Sequence, residues 1–200
     1  FLTGKVTVRG KEEGIRHLEK TERLLNKRPM DLLMVHNMRG MDVHWPTLKD
    51  WKESGRARYI GTSLTRQTTY DGLESFMKTE KPDFIMTGYS IAHQQADERI
   101  LPLAADMGIA VIGVEPFKAL QDGAYFSVVA GKELPEWASE FDCETWAQFA
   151  LKYILSNPAV TCVVTETSKV SHAMDNMRAG YGRLPNEATR QRMSEYILSL

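Results

Sequence analysis

Two side chains stand out for the chemistry their types and positions could do. Lys5 lies inside Leu2 to Val8, a β-type apolar run, and a lysine pointing inward from such a strand is rare unless it is paired or used. His36 closes a second apolar run, Asp31 to His36. Taken alone, a histidine at a strand end is most often satisfied by neighbouring backbone, so it gains meaning only in the company of Lys5. Met38, Met41 and Trp45, in the stretch after His36, and the pair Tyr125 and Phe126 could line an apolar substrate pocket or simply pack, and the two readings are evenly matched. Cys143 and Cys162 have neither a metal-ligand spacing nor the density of a disulfide scaffold. They read as small buried fillers in a chain kept in a reducing, cytoplasmic setting, with no metal site expected.

The elements that must position these residues alternate along the chain. Six strands are predicted: Leu2 to Val8, Asp31 to His36, Arg58 to Ser63, Asp83 to Tyr89, Ile109 to Val114 and Val160 to Thr165. Leu32-Leu33-Met34-Val35 and Ile109-Ala110-Val111-Ile112 are apolar almost without break, as strands covered on both faces are. Between them, apolar spacing predicts helices over Lys11 to Asn26, Thr47 to Ser54, Thr68 to Met77, Glu98 to Met107 and Glu144 to Leu155. Further helices are expected from Ser168 to Met177 and Asn186 to Leu198, with Gly55 taking the left-handed turn after the second helix. Phe117 to Asp142 reads as a loop with irregular helix. Such alternation implies a parallel sheet with crossover helices. Six βα units are too few for a closed barrel of eight. The expectation is therefore a barrel completed by upstream units, by a partner chain, or by the first and last strands meeting in an unusual smaller barrel, and a doubly wound open sheet is the competing architecture.

Composition narrows the function. The 200 residues are 42% hydrophobic and 26% charged, with a formal net charge of -1, and the basic residues are scattered. No electrostatic footprint for nucleic acid or an acidic membrane surface emerges. No apolar run approaches the roughly 20 residues that span a bilayer.

Several segments, in order, resemble the aldo-keto reductase family: Phe1-Leu2-Thr3-Gly4-Lys5-Val6, Met30-Asp31-Leu32-Leu33-Met34-Val35-His36-Asn37, Gly55-Arg56-Ala57-Arg58-Tyr59-Ile60-Gly61-Thr62-Ser63, and Asp175-Asn176-Met177. The resemblance implies an α/β fold of the (β/α)8 TIM-barrel type lacking its first two βα units, one domain over residues 1–200, and hydride transfer from NADPH to a small aldehyde or ketone. It places Lys5 on the family's catalytic lysine and His36 on its histidine. An ammonium beside a phenol lowers the phenol's pKa, and the histidine orients the substrate carbonyl. The family's Asp and Tyr would lie upstream of Phe1.

The resemblance also implies a cofactor site. Tyr89 falls on the aromatic that stacks on the nicotinamide, Ser63 on a residue holding its carboxamide, Thr167, Ser168, Lys169 and His172 on the phosphate end, and Asp175 and Asn176 on the adenine end. The pattern departs at Leu64 and Met86, which stand where the family has Asn and Gln and cannot make amide hydrogen bonds. Glu166 adds a carboxylate near the pyrophosphate, which repels it, and Glu115 stands where Arg or Ser commonly precedes the proline. NADPH binding is therefore expected to be weakened or rearranged. Ser168 has a simpler reading as the cap of a helix. The leading function is carbonyl reduction. The alternatives are a cofactor-independent barrel acting as a small-molecule binder, lyase or isomerase, and a non-catalytic subunit.

Overall fold

The computed structural model describes residues 1–65, 70–119 and 124–200. Its six strands are β1 (Thr3–Val6), β2 (Met30–Val35), β3 (Ala57–Leu64), β4 (Phe84–Gly88), β5 (Ala110–Val114) and β6 (Cys162–Val163), and they lie in the sheet in chain order. The helices are α1 (Lys11–Leu25), α2 (Met41–Glu53), α3 (Tyr70–Glu80), α4 (Gln95–Glu98), α5 (Ile100–Met107), α6 (Tyr125–Val128), α7 (Trp146–Leu155), α8 (Val170–Arg178) and α9 (Glu187–Leu198). The expected parallel α/β alternation is present, and strands fed by crossover helices pair in parallel because the helix returns the chain to the same sheet edge. The described residues divide into two compact units, Phe1–Met86 with Met107–Ala110, and Thr87–Asp106 with Val111–Leu200.

In the first unit, β1 pairs with β2 and β2 with β3, both in parallel, with Lys5 opposite Met34, Met34 opposite Gly61, and Val35 opposite Thr62. Every residue of β2 is buried, as its apolar run Leu32 to Val35 requires; the buried Asp31 accepts from the Leu2 amide and from Arg58. The sheet closes tightly at Gly61, where a Cβ would sit 2.2 Å from the Phe84 carbonyl oxygen. Helix α1 is fastened to the start of β3 by Arg56, whose Nε and Nη2 donate to the two carboxylate oxygens of Glu22 at 2.9 and 2.6 Å, with its guanidinium 3.4 Å over the Trp51 ring. That two-pronged pair holds the arginine's charge and raises its pKa further.

Helix α2 begins at Met41 rather than at Thr47. Pro46 lies within the helix, and Gly40, in the left-handed conformation, is the cap residue. Its first turn is held by the Val43 and His44 amides donating to the Gly40 carbonyl. Helix α3 runs on to Glu80; Thr68 and Thr69, where its start was expected, lie outside the described residues. The helix expected over Glu98 to Met107 is α5, and a separate short turn, α4, precedes it.

In the second unit, β5 pairs with β6 in parallel through Ile112 opposite Cys162 and Gly113 opposite Val163. Strand β6 has two residues where six were expected, and Cys162 is exposed rather than a buried filler, whereas Cys143 is buried. Helix α7 carries the core: Phe149, Leu151 and Ile154 are buried, and so is Lys152, whose ammonium donates to the Tyr181 and Arg183 carbonyls at 2.6 and 3.0 Å. Burial lowers the Lys152 pKa, and two carbonyl partners are what make its position tolerable.

Substituting Gly61→Ala should destabilise the protein by about 1–3 kcal/mol, because the obstructing atoms are backbone and cannot swing aside. Gly72→Ala, where a Cβ meets nothing within 4 Å, should leave the urea midpoint unchanged or raise it.

Candidate functional site

Strand parity assembles the first group of polar residues. In a parallel pair, opposed residues share a face and the face alternates along each strand. Lys5, Met34 and Gly61 therefore share one face. Two residues further on, His36 and Ser63 return to it. The Lys5 ammonium meets the Met86 thioether, Nζ to Sδ 3.7 Å. His36 Nδ1 lies 3.1 Å from the Ser63 hydroxyl, and the Asn37 backbone N–H donates to the same hydroxyl at 2.9 Å. Asn37 Nδ2 lies 3.3 Å from His36 Nε2. Burial first, then the positive charges of Lys5 and Arg39, lower the His36 pKa from its ordinary value of 6.5. Ser63 is fully buried, so its hydroxyl serves the histidine and the Asn37 amide rather than acting as a nucleophile.

The second group lies around α7 and α8. A cleft of about 330 Å³ is lined by the rings of Phe117, Phe126 and Trp146, with Glu166, His172 and Asn176 among its polar walls. Thr167, Ser168 and Lys169, together with Glu166 and His172, line a shallower, more open cleft. One carboxylate ties the two helices: Asp175 accepts from the Thr145 hydroxyl at 2.8 Å and from Gln148 Nε2 at 2.7 Å. Thr145 is also the cap of α7, its hydroxyl accepting from the Gln148 amide, so one cluster both starts α7 and anchors α8. Among the described residues no group of three or more His, Cys, Asp and Glu side chains could hold a metal ion, and no helix is long and apolar enough to cross a membrane.

A sequence profile of the aldo/keto reductase family matches residues 1–192. The chain belongs to that family. It is 25% identical over 200 residues to the uncharacterized oxidoreductase YrpG of Bacillus subtilis, covering 88% of this chain and 61% of the relative, so it spans less than two thirds of that protein's length. An aldo-keto reductase of Bacillus halodurans in its holo form shares the fold, with a TM-score of 0.73 and 20% identity over 98% of this chain and 70% of its own. An aldo/keto reductase of Klebsiella pneumoniae, solved in complex with NADP and acetate, superposes with a TM-score of 0.73 at 19% identity, over 96% of this chain and 68% of its own.

Several residues that the family resemblance nominated sit differently from expectation. Tyr89 is 1% exposed. Its hydroxyl donates to Asp97 at 2.6 Å and accepts from Arg190 at 2.8 Å and Asn157 at 3.3 Å, and its ring lies 6.0 Å from that of Tyr153. It offers no free ring face on which a nicotinamide could stack. Tyr89 directly follows Gly88, the last residue of β4, and its hydroxyl is held instead in the polar group of Asp97, Asn157 and Arg190. Desolvation pushes its pKa well above the usual phenol range.

Trp45 is core, packed edge-on against Phe76 at 4.8 Å with its indole N–H on Glu80, and so does not line a pocket. Tyr125 is fully buried between Phe117 and Phe126, leaving Phe126 as the member of that pair that reaches the cleft. Met38 is half-buried in a left-handed turn at φ 54°. Ser168 does not cap α8; the residue before the helix is Lys169, which makes no side-chain cap, and Thr167 accepts the Lys169 amide instead. Leu64 and Met86 are buried apolar residues. Asn37, Thr145 and Trp146 were not singled out from sequence. For Asn37 the available signal was an asparagine directly after a strand-end histidine, a residue type that tolerates the left-handed turn found there.

Because the folded His36 pKa lies below 6.5, the unfolded chain binds a proton that the folded chain refuses between those two values. Stability from this source is intact above pH 6.5 and falls as pH drops through the folded pKa. An NMR titration should give a His36 midpoint below 6.5, and His36→Gln should flatten the acid limb of urea stability measured across that interval.

Proposed function

We propose that this chain takes part in NAD(P)H-dependent reduction of a small aldehyde or ketone. The observation that carries the reading is the grouping of Lys5, His36, Ser63 and Asn37 by three adjacent parallel strands, at the C-terminal ends where barrels place their chemistry. The family membership and the NADP complex of the Klebsiella pneumoniae relative support it.

The cleft over α7 and α8 suits the adenosine part of such a cofactor. Phe126 and Trp146 offer flat apolar faces, and Asn176, His172 and Thr167 offer hydrogen-bonding groups. Ser168 and Lys169 border the adjoining cleft and would meet phosphate there. Asp175 holds α8 in place through Thr145 and Gln148 and also lines the cleft, with acceptor capacity left for a ligand. Tyr89 is left out of this set. When bound, the cofactor supplies a hydride to the carbonyl carbon.

The chain's own part is to bind and polarise the carbonyl oxygen. The Lys5 ammonium has three donors, and a thioether is a weak acceptor, so it retains donors for a substrate oxygen. His36 and Ser63 fix the neighbouring wall.

A second reading, a barrel that works without nicotinamide, draws on the same contact. Met86 and Leu64 leave the Lys5 region apolar where amide anchors were expected. Titration with NADPH and NADH, followed by tryptophan fluorescence, separates the two. Saturable micromolar binding supports reduction; a folded sample that binds neither sinks it.

Two substitutions sharpen the test. Lys5→Met should lower kcat/KM for carbonyl reduction by about 100-fold, the low end of a positioned proton-handling group, while leaving cofactor affinity within a few fold. Glu166→Gln should tighten NADPH more than NADH, because removing a carboxylate from the cleft relieves repulsion that the extra phosphate feels most. Equal effects on both cofactors would remove Glu166 from the phosphate path.

A further inference from the structure

The hydrogen bonds around His36 determine more than its orientation. Asn37 is in the left-handed conformation, φ 51° and ψ 36°, and its side chain lies between His36 and the backbone beyond Ser63. Its Oδ1 accepts from the Thr65 N–H at 3.4 Å and its Nδ2 lies 3.3 Å from His36 Nε2. A backbone N–H can only donate, so the amide oxygen must face Thr65 and the NH2 group must face the imidazole. An amide NH2 can only donate in turn, so Nε2 must supply a lone pair.

The proton of a neutral imidazole is then on Nδ1, 3.1 Å from the Ser63 hydroxyl. That oxygen also accepts the Asn37 backbone N–H at 2.9 Å; a serine hydroxyl can accept from Nδ1–H or donate to a bare Nδ1, so it suits either tautomer and the choice falls to the Asn37 amide. Asn37 thus acts at both ends of the system, with its backbone on Ser63 and its side chain on Nε2.

We propose that Asn37 is a positioning residue that holds His36 as the Nδ1–H tautomer, with Nε2 presented as a hydrogen-bond acceptor. The neutral histidine then offers a lone pair, not a proton, on that side. A donor such as the hydroxyl of an alcohol, or of a hydroxylated carbonyl compound, can replace the long contact from the Asn37 amide. A bare carbonyl oxygen finds its donors at Lys5 or at the Asn37 amide. The tautomer assignment stands on the hydrogen bonds alone. Its bearing on substrate rests on the function proposed above.

Long-range proton–nitrogen correlation spectra of the 15N-labelled protein, recorded above pH 6.5 and assigned with His36→Gln, read the tautomer directly and need neither cofactor nor activity. The expected result is Nδ1–H in the unaltered protein. Asn37→Asp replaces the donor by an acceptor, so it should flip His36 to Nε2–H and raise its titration midpoint. Asn37→Gly, which keeps the left-handed backbone without strain, should retain the fold if the aspartate does not, and should let the Nε2–H form appear. An Nε2–H tautomer in the unaltered protein overturns the proposal. So does Nδ1–H unchanged in every folded variant, which would give the fixing role to Ser63 alone. Loss of carbonyl reduction with the expected tautomers would count against the proposed function and leave the role of Asn37 standing.

Discussion

The register of three parallel strands is the constraint on which the candidate site depends. Val35 opposite Thr62 puts His36 beside Ser63, and Lys5 opposite Met34 puts the ammonium on the same face. A slip of one residue would send all of these side chains to the other side of the sheet. The register is held by Asp31 in the fully buried β2, which accepts from the Leu2 amide just before β1 and from Arg58 of β3. It is held also by Gly61, whose missing side chain lets the Phe84 carbonyl approach. Packing and chemistry are therefore set by one arrangement rather than two.

Much of this was legible in the sequence, and the reasons are specific. The strands β1 to β5 fell within a few residues of expectation because continuous apolar runs bounded by polar turns have few other solutions. Lys5, His36 and Ser63 were nominated because their types and positions matched a family pattern, and the family itself is supported over residues 1–192; the structure brings His36 and Ser63 within 3.1 Å. For Tyr89, Trp45 and Tyr125 the sequence left lining a site and filling the core both open, because an aromatic ring near a barrel loop looks the same in sequence either way; the structure buries all three. Asn37 was given no role because its part depends on a left-handed turn and a backbone N–H at the end of the neighbouring strand, neither of which leaves a mark in composition.

The second unit answers the cost of buried polar groups differently from the first. Tyr89, Asp97, Asn157 and Arg190 form a closed network. Burial raises the Asp97 pKa, while the bond from Tyr89 and the charge of Arg190 oppose that rise. Every member has a partner, and a fully satisfied network rigidifies where a partly satisfied one would destabilise. Arg190 belongs to α9 and also stacks 4.9 Å over the Tyr153 ring of α7. The network thus joins the last helix to the core of its unit alongside the buried Met193 and Ile197.

Helix α8 stands apart from that rigidity. None of its residues is buried, and its side-chain ties to α7 and the residues just before it are the bonds of Asp175 to Thr145 and Gln148 and the exposed pair of Arg178 with Glu144. An element with so little apolar burial opens by local unfolding far below the free energy of global unfolding. Its amides belong among the fast-exchanging ones in native-state hydrogen exchange, and a molecule settling against His172 and Asn176 would slow them. The wall of the cleft is thus itself an equilibrium, and occupancy and helix order are linked quantities.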